Sequence, residues 1–179
     1  ANLGTTMYGM FNFGKGKKIE AVRHVFRPSV SYNINPSYEH FYDSYQDPNA
    51  LDENIEYSRF EQSLYGAPSK VRSSNVGISV SNTFEAKVRD NDTTAIKPKK
   101  IVLLNNLNFN TAYNVLGDSL NWNPIRFSGS VPIVKKLDFN FNGTLDPYAL
   151  DNNNVRIDKF NINNGGSLFR LTNGNISVN

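Results

Sequence analysis

The stretch SNVGISVSNTFEAKVR, residues 74–89, alternates along its whole length. Val76, Ile78, Val80, Phe84, Ala86 and Val88 fall on one side, broken only by Asn82. Asn75, Gly77, Ser79, Ser81, Thr83, Glu85, Lys87 and Arg89 fall on the other. A period of two is the pattern of a β-strand whose faces meet different surroundings. Strands of globular proteins usually end after about five or six residues. A strand of nearly three times that length needs either a very tall sheet or a membrane to cross.

The same texture recurs along the chain. Residues 1–13 set Leu3, Met7, Phe11 and Phe13 on one face. Residues 21–35 set Val22, His24, Phe26, Val30, Tyr32 and Ile34 against Arg23, Arg27, Ser29, Ser31 and Asn33. Residues 57–66 read as a shorter, mixed strand. In 101–116, Leu103, Leu107, Phe109, Tyr113 and Val115 alternate with Asn106, Asn108, Asn110 and Asn114. Further runs cover 122–134 and 137–146, and weaker ones lie near 155–162 and 168–179. Between them come the basic turn at Gly14–Lys18, a polar, acidic, Tyr-rich loop over 36–56, loops at 66–73 and 90–100, tight turns at LGDSLN and VKKLD, and Asn/Gly-rich turns at 147–154 and 163–167. No stretch sustains a 3.6-residue period. The expected class is all-β, an antiparallel meander forming a single unit over 1–179. Alternation is already under way at Ala1 and still running at Asn179, which is the expectation for a fragment of a longer chain.

Composition narrows the classes. Hydrophobic residues make up 39% and aromatics 12% of the chain. Low hydropathy with many aromatics fits a protein in which every other residue is apolar, and it excludes a disordered chain. A net charge of +3 is too small to argue for nucleic acid. With no cysteine, disulfides, thiolate metal sites and Cys nucleophiles are excluded. No apolar run approaches the ~18 residues of a membrane-crossing helix, but barrel strands hide their apolar residues by alternation.

Alternation suits both a membrane barrel and a soluble sandwich. Three features favour the barrel. Several strands run longer than the roughly 9–11 residues a tilted strand needs to cross a bilayer. The polar faces carry Ser, Asn, Thr and Gly at mid-strand, with charges nearer the ends. Aromatics expected at strand ends, Tyr8, Tyr32, Tyr57, Tyr65, Tyr113, Trp122 and Tyr148, suit interfacial girdles. Pro28 and Pro132 fall inside strand patterns, and each removes one ladder donor, marking an edge, a strand end or a bulge.

Catalytic chemistry finds little support. His24 and His40 are the two histidines, one in a strand and one in a loop, and neither spacing suggests a zinc site or a triad. Asp43, Asp47, Asp52, Glu53 and Glu56 do not follow an EF-hand loop, so a solvated loop is expected. GKGKK at 14–18 lacks the P-loop spacing. Its lysines, Lys15, Lys17 and Lys18, read as a charged turn or as contacts to phosphorylated lipid head groups. Arg23, Arg27 and Arg126 lie on polar strand faces. In a barrel they face the lumen, to pair with acids there or to meet anionic sugars and phosphates. No cofactor and no metal is expected.

Several stretches together resemble a known family. They are YGMFNFGKGKKIEAVRHVFRPSVSYNINPSY (8–38), YSRFEQSLYGAP (57–68), KKIVLLNNLNFNTAYNVLGDSLNWNPIRFSGS (99–130), LDFNFNGTLDPYALD (137–151) and RLTNGNISVN (170–179). IEAVRHVFRPSVSY, DSLNW and LDPYALD are the most distinctive. The chain is similar in these to the lipopolysaccharide-assembly outer-membrane protein family LptD, of the Bacteroidetes type. That resemblance implies a segment of a large transmembrane β-barrel in the outer membrane of a Gram-negative bacterium. It implies lipopolysaccharide as cargo, a plug lipoprotein of the LptE type, a periplasmic lipopolysaccharide-transport bridge, lateral opening of the barrel, and no enzymatic activity. The alternatives from the residues alone are another outer-membrane channel or secretion barrel, and a soluble carbohydrate-binding sandwich using Tyr and Trp as sugar platforms.

Overall fold

The computed structural model describes residues 1–14, 17–48, 50–89, 99–134 and 137–179. Its strands are β1 (Asn2–Gly4), β2 (Met7–Asn12), β3 (Ile19–Asn35), β4 (Tyr42–Asp47), β5 (Ala50–Ser58), β6 (Ser73–Val88), β7 (Lys99–Asn114), β8 (Ile125–Val134), β9 (Leu137–Asp146), β10 (Tyr148–Leu150), β11 (Arg156–Phe160) and β12 (Arg170–Val178). One antiparallel sheet runs β1/β2–β3–β6–β7–β8–β9–β12. Two side hairpins, β4–β5 and β10–β11, leave the sheet between β3 and β6 and between β9 and β12. The all-β meander expected from the alternation is the fold, and the sheet does not close on itself in this segment.

Register divides the sheet into two faces. Across the middle, Phe26 faces Met7 and Asn82, Val80 faces Pro28 and Phe109, Phe109 faces Phe127, and Phe141 faces Gly129 and Ile176. On the other face, Ser81 lies between Arg27 and Asn108, and Ser128 between Asn108 and Asn142. One face is thus apolar from edge to edge and the other is a carpet of Ser and Asn. Among the described residues no second sheet packs on the apolar face. Among the described residues no large side chain is fully buried, and Met7, Phe11, Val30, Ile133, Ile176 and Val178 stand exposed. A sandwich buries its apolar face against a second layer, and that layer is missing here.

β6 and β7 each have 16 residues, about 50 Å of strand at the usual rise. Pro28 interrupts the ladder without shifting it. Gly4 pairs with Ser29 and Met7 with Phe26 in one common register, and the gap between β1 and β2 faces the donor-less Pro28. Pro132 sits beside a register shift at the end of β8. A larger irregularity lies in β7, where register shifts flank residues 102–108 and Asn106 takes φ 51°. Asn82 repairs it: its Nδ2 donates to the Leu107 carbonyl at 3.3 Å, and its Oδ1 meets His24 Nε2 at 2.9 Å. The His24 ring in turn stacks on Phe84 with centroids 4.3 Å apart. The polar break that Asn82 makes in the opening stretch is therefore the satisfaction of a bulge.

Several expectations are corrected. Residues 147–154 are not all turn, since β10 pairs with β11, and the shifted register of β7 puts Leu104 rather than Leu103 in line with the apolar face. Residues 36–56 do not form a simple loop, and the strand expected at 57–66 ends at Ser58. The β4–β5 hairpin occupies this region, with Tyr45 opposite Ile55 and Asp43 opposite Tyr57. Its acidic, Tyr-rich composition masked a ladder held by the backbone and by ring contact between Tyr45 and Tyr57, 5.8 Å apart. Ser58 Oγ then accepts from the Phe60 N–H at 3.3 Å and turns the chain away.

Candidate functional site

Strands in this meander reverse at each step, so successive connections alternate between the two ends of the sheet. Residues 13–18, 89–98 and 135–136 join strands at one end. Residues 36–72, 115–124 and 147–169 join them at the other, and both side hairpins belong to that set. The two longest connections, 36–72 and 147–169, fall at the same end, the long-loop end; the opposite end is the short-loop end.

At the long-loop end an aromatic band crosses the apolar face. Tyr32 and Tyr113 flank Val76, and Trp122 packs edge-on to Tyr113 with centroids 5.0 Å apart. The Trp122 backbone N–H donates to the Tyr148 hydroxyl at 3.0 Å. Of the expected girdle, these four aromatics come together. Tyr8 instead pairs with Val25 on the polar face, and Tyr57 and Tyr65 lie on the β3–β6 excursion.

The LDPYALD motif anchors the other excursion. Asp146, Pro147, Tyr148 and Ala149 are all buried. Asp146 Oδ1 accepts the Tyr148 N–H at 3.0 Å. Its Oδ2 lies 3.0 Å from Arg156 Nε, off the hydrogen-bonding axis, and 3.3 Å from an Arg170 terminal nitrogen. Arg170 Nε donates to the Tyr148 carbonyl at 2.8 Å, and Tyr148 stacks on Phe160.

The polar face is the candidate site. One row runs Ser29, Ser79, Asn110, Arg126, Thr144 and Asn173; the next runs Arg27, Ser81, Asn108, Ser128, Asn142 and Asn175. The Ser29 and Ser79 hydroxyls are 3.0 Å apart. Two adjoining hollows of about 480 and 240 Å³ meet at Asn110, Arg126 and Thr144. Arg126 and Arg27 are exposed, and among the described residues neither forms an ion pair. Three strand spacings and one row separate them, roughly 15 Å. Arg23 differs, since its guanidinium is 2.5 Å from Glu85. Lys17 and Lys18 sit at the short-loop end, where the Arg89 N–H donates to the Lys18 carbonyl and Lys99 and Lys100 face Val88 and Lys87. Lys15 lies outside the described residues. The Asn and Thr side chains around Arg126 were readable as alternate positions, but only the register shows which of them surround the cation.

A protein-family model described as LptD protein matches residues 1–148. The chain belongs to the LptD family. The match runs from β1 through β9 into the buried Tyr148. The chain matches none of the curated proteins and none of the solved structures. LptD proteins belong to the outer membrane of Gram-negative bacteria and take part in lipopolysaccharide transport there. That is a transport role, and it gives the two-faced sheet its setting as part of a barrel.

Proposed function

We infer that residues 1–179 are one wall segment of a larger LptD barrel that inserts lipopolysaccharide into the outer leaflet. The apolar face meets lipid and the Ser/Asn face meets the lumen. The long-loop end faces outward, as in outer-membrane barrels generally. The whole barrel holds a plug lipoprotein of the LptE type, receives cargo from a periplasmic bridge and opens sideways to release it.

The observation that carries the reading is the single-layered sheet. Its apolar face has no protein cover among the described residues, and its opposite face is rich in small hydrogen-bonding groups and poor in charge. A bilayer supplies the missing apolar cover. A wet lumen suits the other face, because Ser and Asn groups exchange partners with sugar hydroxyls at little net cost. Among the described residues Arg27 and Arg126 are mid-strand cations of that face without an ion pair, and they meet phosphate or acidic sugar groups of the passing lipopolysaccharide. Arg23, neutralised by Glu85, holds β3 to β6 instead. Lys17 and Lys18 meet phosphorylated head groups at the short-loop end.

Photocrosslinking side chains placed in the full-length protein in cells test this reading. Probes at Asn110 and Asn142 are expected to capture lipopolysaccharide, and probes at Val80 and Phe141 to capture phospholipid. Lipopolysaccharide captured only on the apolar face would reverse the assignment of faces. Copurification of a lipoprotein checks the plug.

A further inference from the structure

At the long-loop end the apolar face continues beyond the strands into a cavity of about 360 Å³. Its walls include Trp122, Ile125, Pro147, Phe160, Leu168 and Phe169. Ile125 belongs to the apolar face, opposite Leu145. Phe160, Leu168 and Phe169 come from the excursion between β9 and β12, so the cavity is a cleft between the sheet and that excursion. Its walls are fixed: Trp122 by Tyr113 and by the Tyr148 hydroxyl, Phe160 by its stack on Tyr148 at 5.3 Å. Leu168 remains 58% exposed, which leaves apolar surface at the mouth uncovered. Its polar lining residues are Thr111 and Asn123, and the Thr111 hydroxyl is already committed to the Asn123 carbonyl at 2.8 Å.

We propose that this cleft seats one acyl chain of a bilayer lipid. The volume lies in the ~300–1,000 Å³ range of ligand pockets. The lining offers a sugar or head group almost nothing to bond. Leaving such a surface wet costs about 25 cal/mol for each Å², so the occupant is apolar. The cleft is continuous with the apolar face and sits beside the Tyr32–Tyr113–Trp122 band. Aromatic girdles mark the level where acyl chains give way to head groups. A chain entering sideways from the bilayer reaches the cleft without crossing polar protein. The inference rests on the reading that the apolar face meets lipid.

Trp122 is the one tryptophan of this chain and reports on the cleft directly. The full-length protein is reconstituted into phosphatidylcholine bilayers with brominated acyl chains, and the Trp122 signal is taken as the difference from W122F. Bromolipid is expected to quench Trp122 strongly, and aqueous iodide to quench it weakly. L168D places a charge at the exposed mouth and is expected to cut bromolipid quenching several-fold while the barrel keeps its heat-shifted gel migration. A second reporter, I176W in the W122F background, reads the open apolar face, where Ile176 is 66% exposed. Quenching of I176W without quenching of Trp122 overturns the acyl-chain site alone, whether iodide reaches the indole or another protein segment shields it. Unchanged quenching in L168D overturns it too, reducing the contact to ordinary surrounding lipid. Failure of both reporters overturns the membrane placement itself.

Discussion

Replacing Asp146 is expected to release the β10–β11 excursion while leaving the main sheet paired. The carboxylate is 4% exposed, accepts hydrogen bonds from the Tyr148 N–H and Arg170, and forms an ion pair with Arg156. Removing one partner of a fully buried ion pair costs about 3–5 kcal/mol. The two arginines keep 34% and 24% exposure, so water recovers part of that cost. D146A is therefore expected to lower the local opening free energy by about 2–4 kcal/mol. D146N keeps an acceptor for Tyr148 and loses only the charge, for about 1–2 kcal/mol. At ~1.4 kcal/mol per tenfold, these become exchange accelerations of about 30- to 900-fold and about 5- to 30-fold. Hydrogen exchange on peptides from residues 147–169 of the full-length barrel measures them. Adding R156M and R170M to D146A removes the stranded charges and should restore at least half the protection. Exchange in D146N as slow as in the unsubstituted protein would refute the charge argument. No recovery in the triple variant would assign the loss to the Tyr148 hydrogen bond instead.

G143A is expected to lower barrel stability by about 1–3 kcal/mol, because a Cβ there would meet the Asn173 carbonyl oxygen at 2.7 Å as well as the Phe127 ring. G129A should cost less, since its obstacle is the Phe141 ring alone, which can turn aside; urea midpoints of the two variants check the order. N82A should cost about 1–2 kcal/mol by leaving the Leu107 carbonyl and His24 without their partner, and the loss should appear as faster exchange in β7. R126E is expected to reduce lipopolysaccharide crosslinking at Asn110 by several-fold, and R23E to act on stability instead through Glu85. Residues 1–179 have no cysteine, so L64C and K17C are each the one thiol of this segment, read as the difference from the unsubstituted full-length protein. A membrane-impermeant thiol reagent added to whole cells should reach L64C at the long-loop end and spare K17C; the opposite result would invert the orientation.

The faces of the sheet were readable from alternation wherever strict period two held, as from Val22 to Ile34 and from Val76 to Phe84. It failed at β7. There the doublets Leu103–Leu104 and Asn105–Asn106 break the period, and the extra residues are absorbed by a bulge that takes Asn106 to positive φ. A shift of one residue carries a side chain to the opposite face, so Leu103 could not be placed by counting from Leu107. Local doublets were the visible signal, and the repair by Asn82 depends on a strand more than twenty residues away. The β4–β5 hairpin was hidden for another reason. Its strands are short, acidic and solvated on both sides, so backbone pairing rather than burial decides them. Arg23, Arg27 and Arg126 all read as polar-face cations, yet only pairing across β3 and β6 separates the neutralised Arg23 from the other two. The Trp122 cleft had no sequence signal, because its walls come from β7, β8 and an excursion that meet only in the folded chain.

On the proposed reading, the charge pattern of the polar face suits a cargo that moves along it. Fixed ion pairs would grip an anionic cargo or be broken by it, and desolvating a bare cation is costly. On the proposed reading, same-face neighbours along a strand, such as Asn108 and Asn110 on β7 or Asn142 and Thr144 on β9, recur about every 6.6 Å and offer both donors and acceptors to a sugar moving between the two ends of the sheet. On the same reading, Arg27 and Arg126, unpaired among the described residues and roughly 15 Å apart, favour an anion without trapping it, because each is exposed and screened. Charge clustered at strand ends, as at Lys17, Lys18, Arg89, Lys99 and Lys100, acts differently. On the proposed reading it sits where the cargo enters or where head groups lie, and there a strong local field helps capture rather than impeding passage.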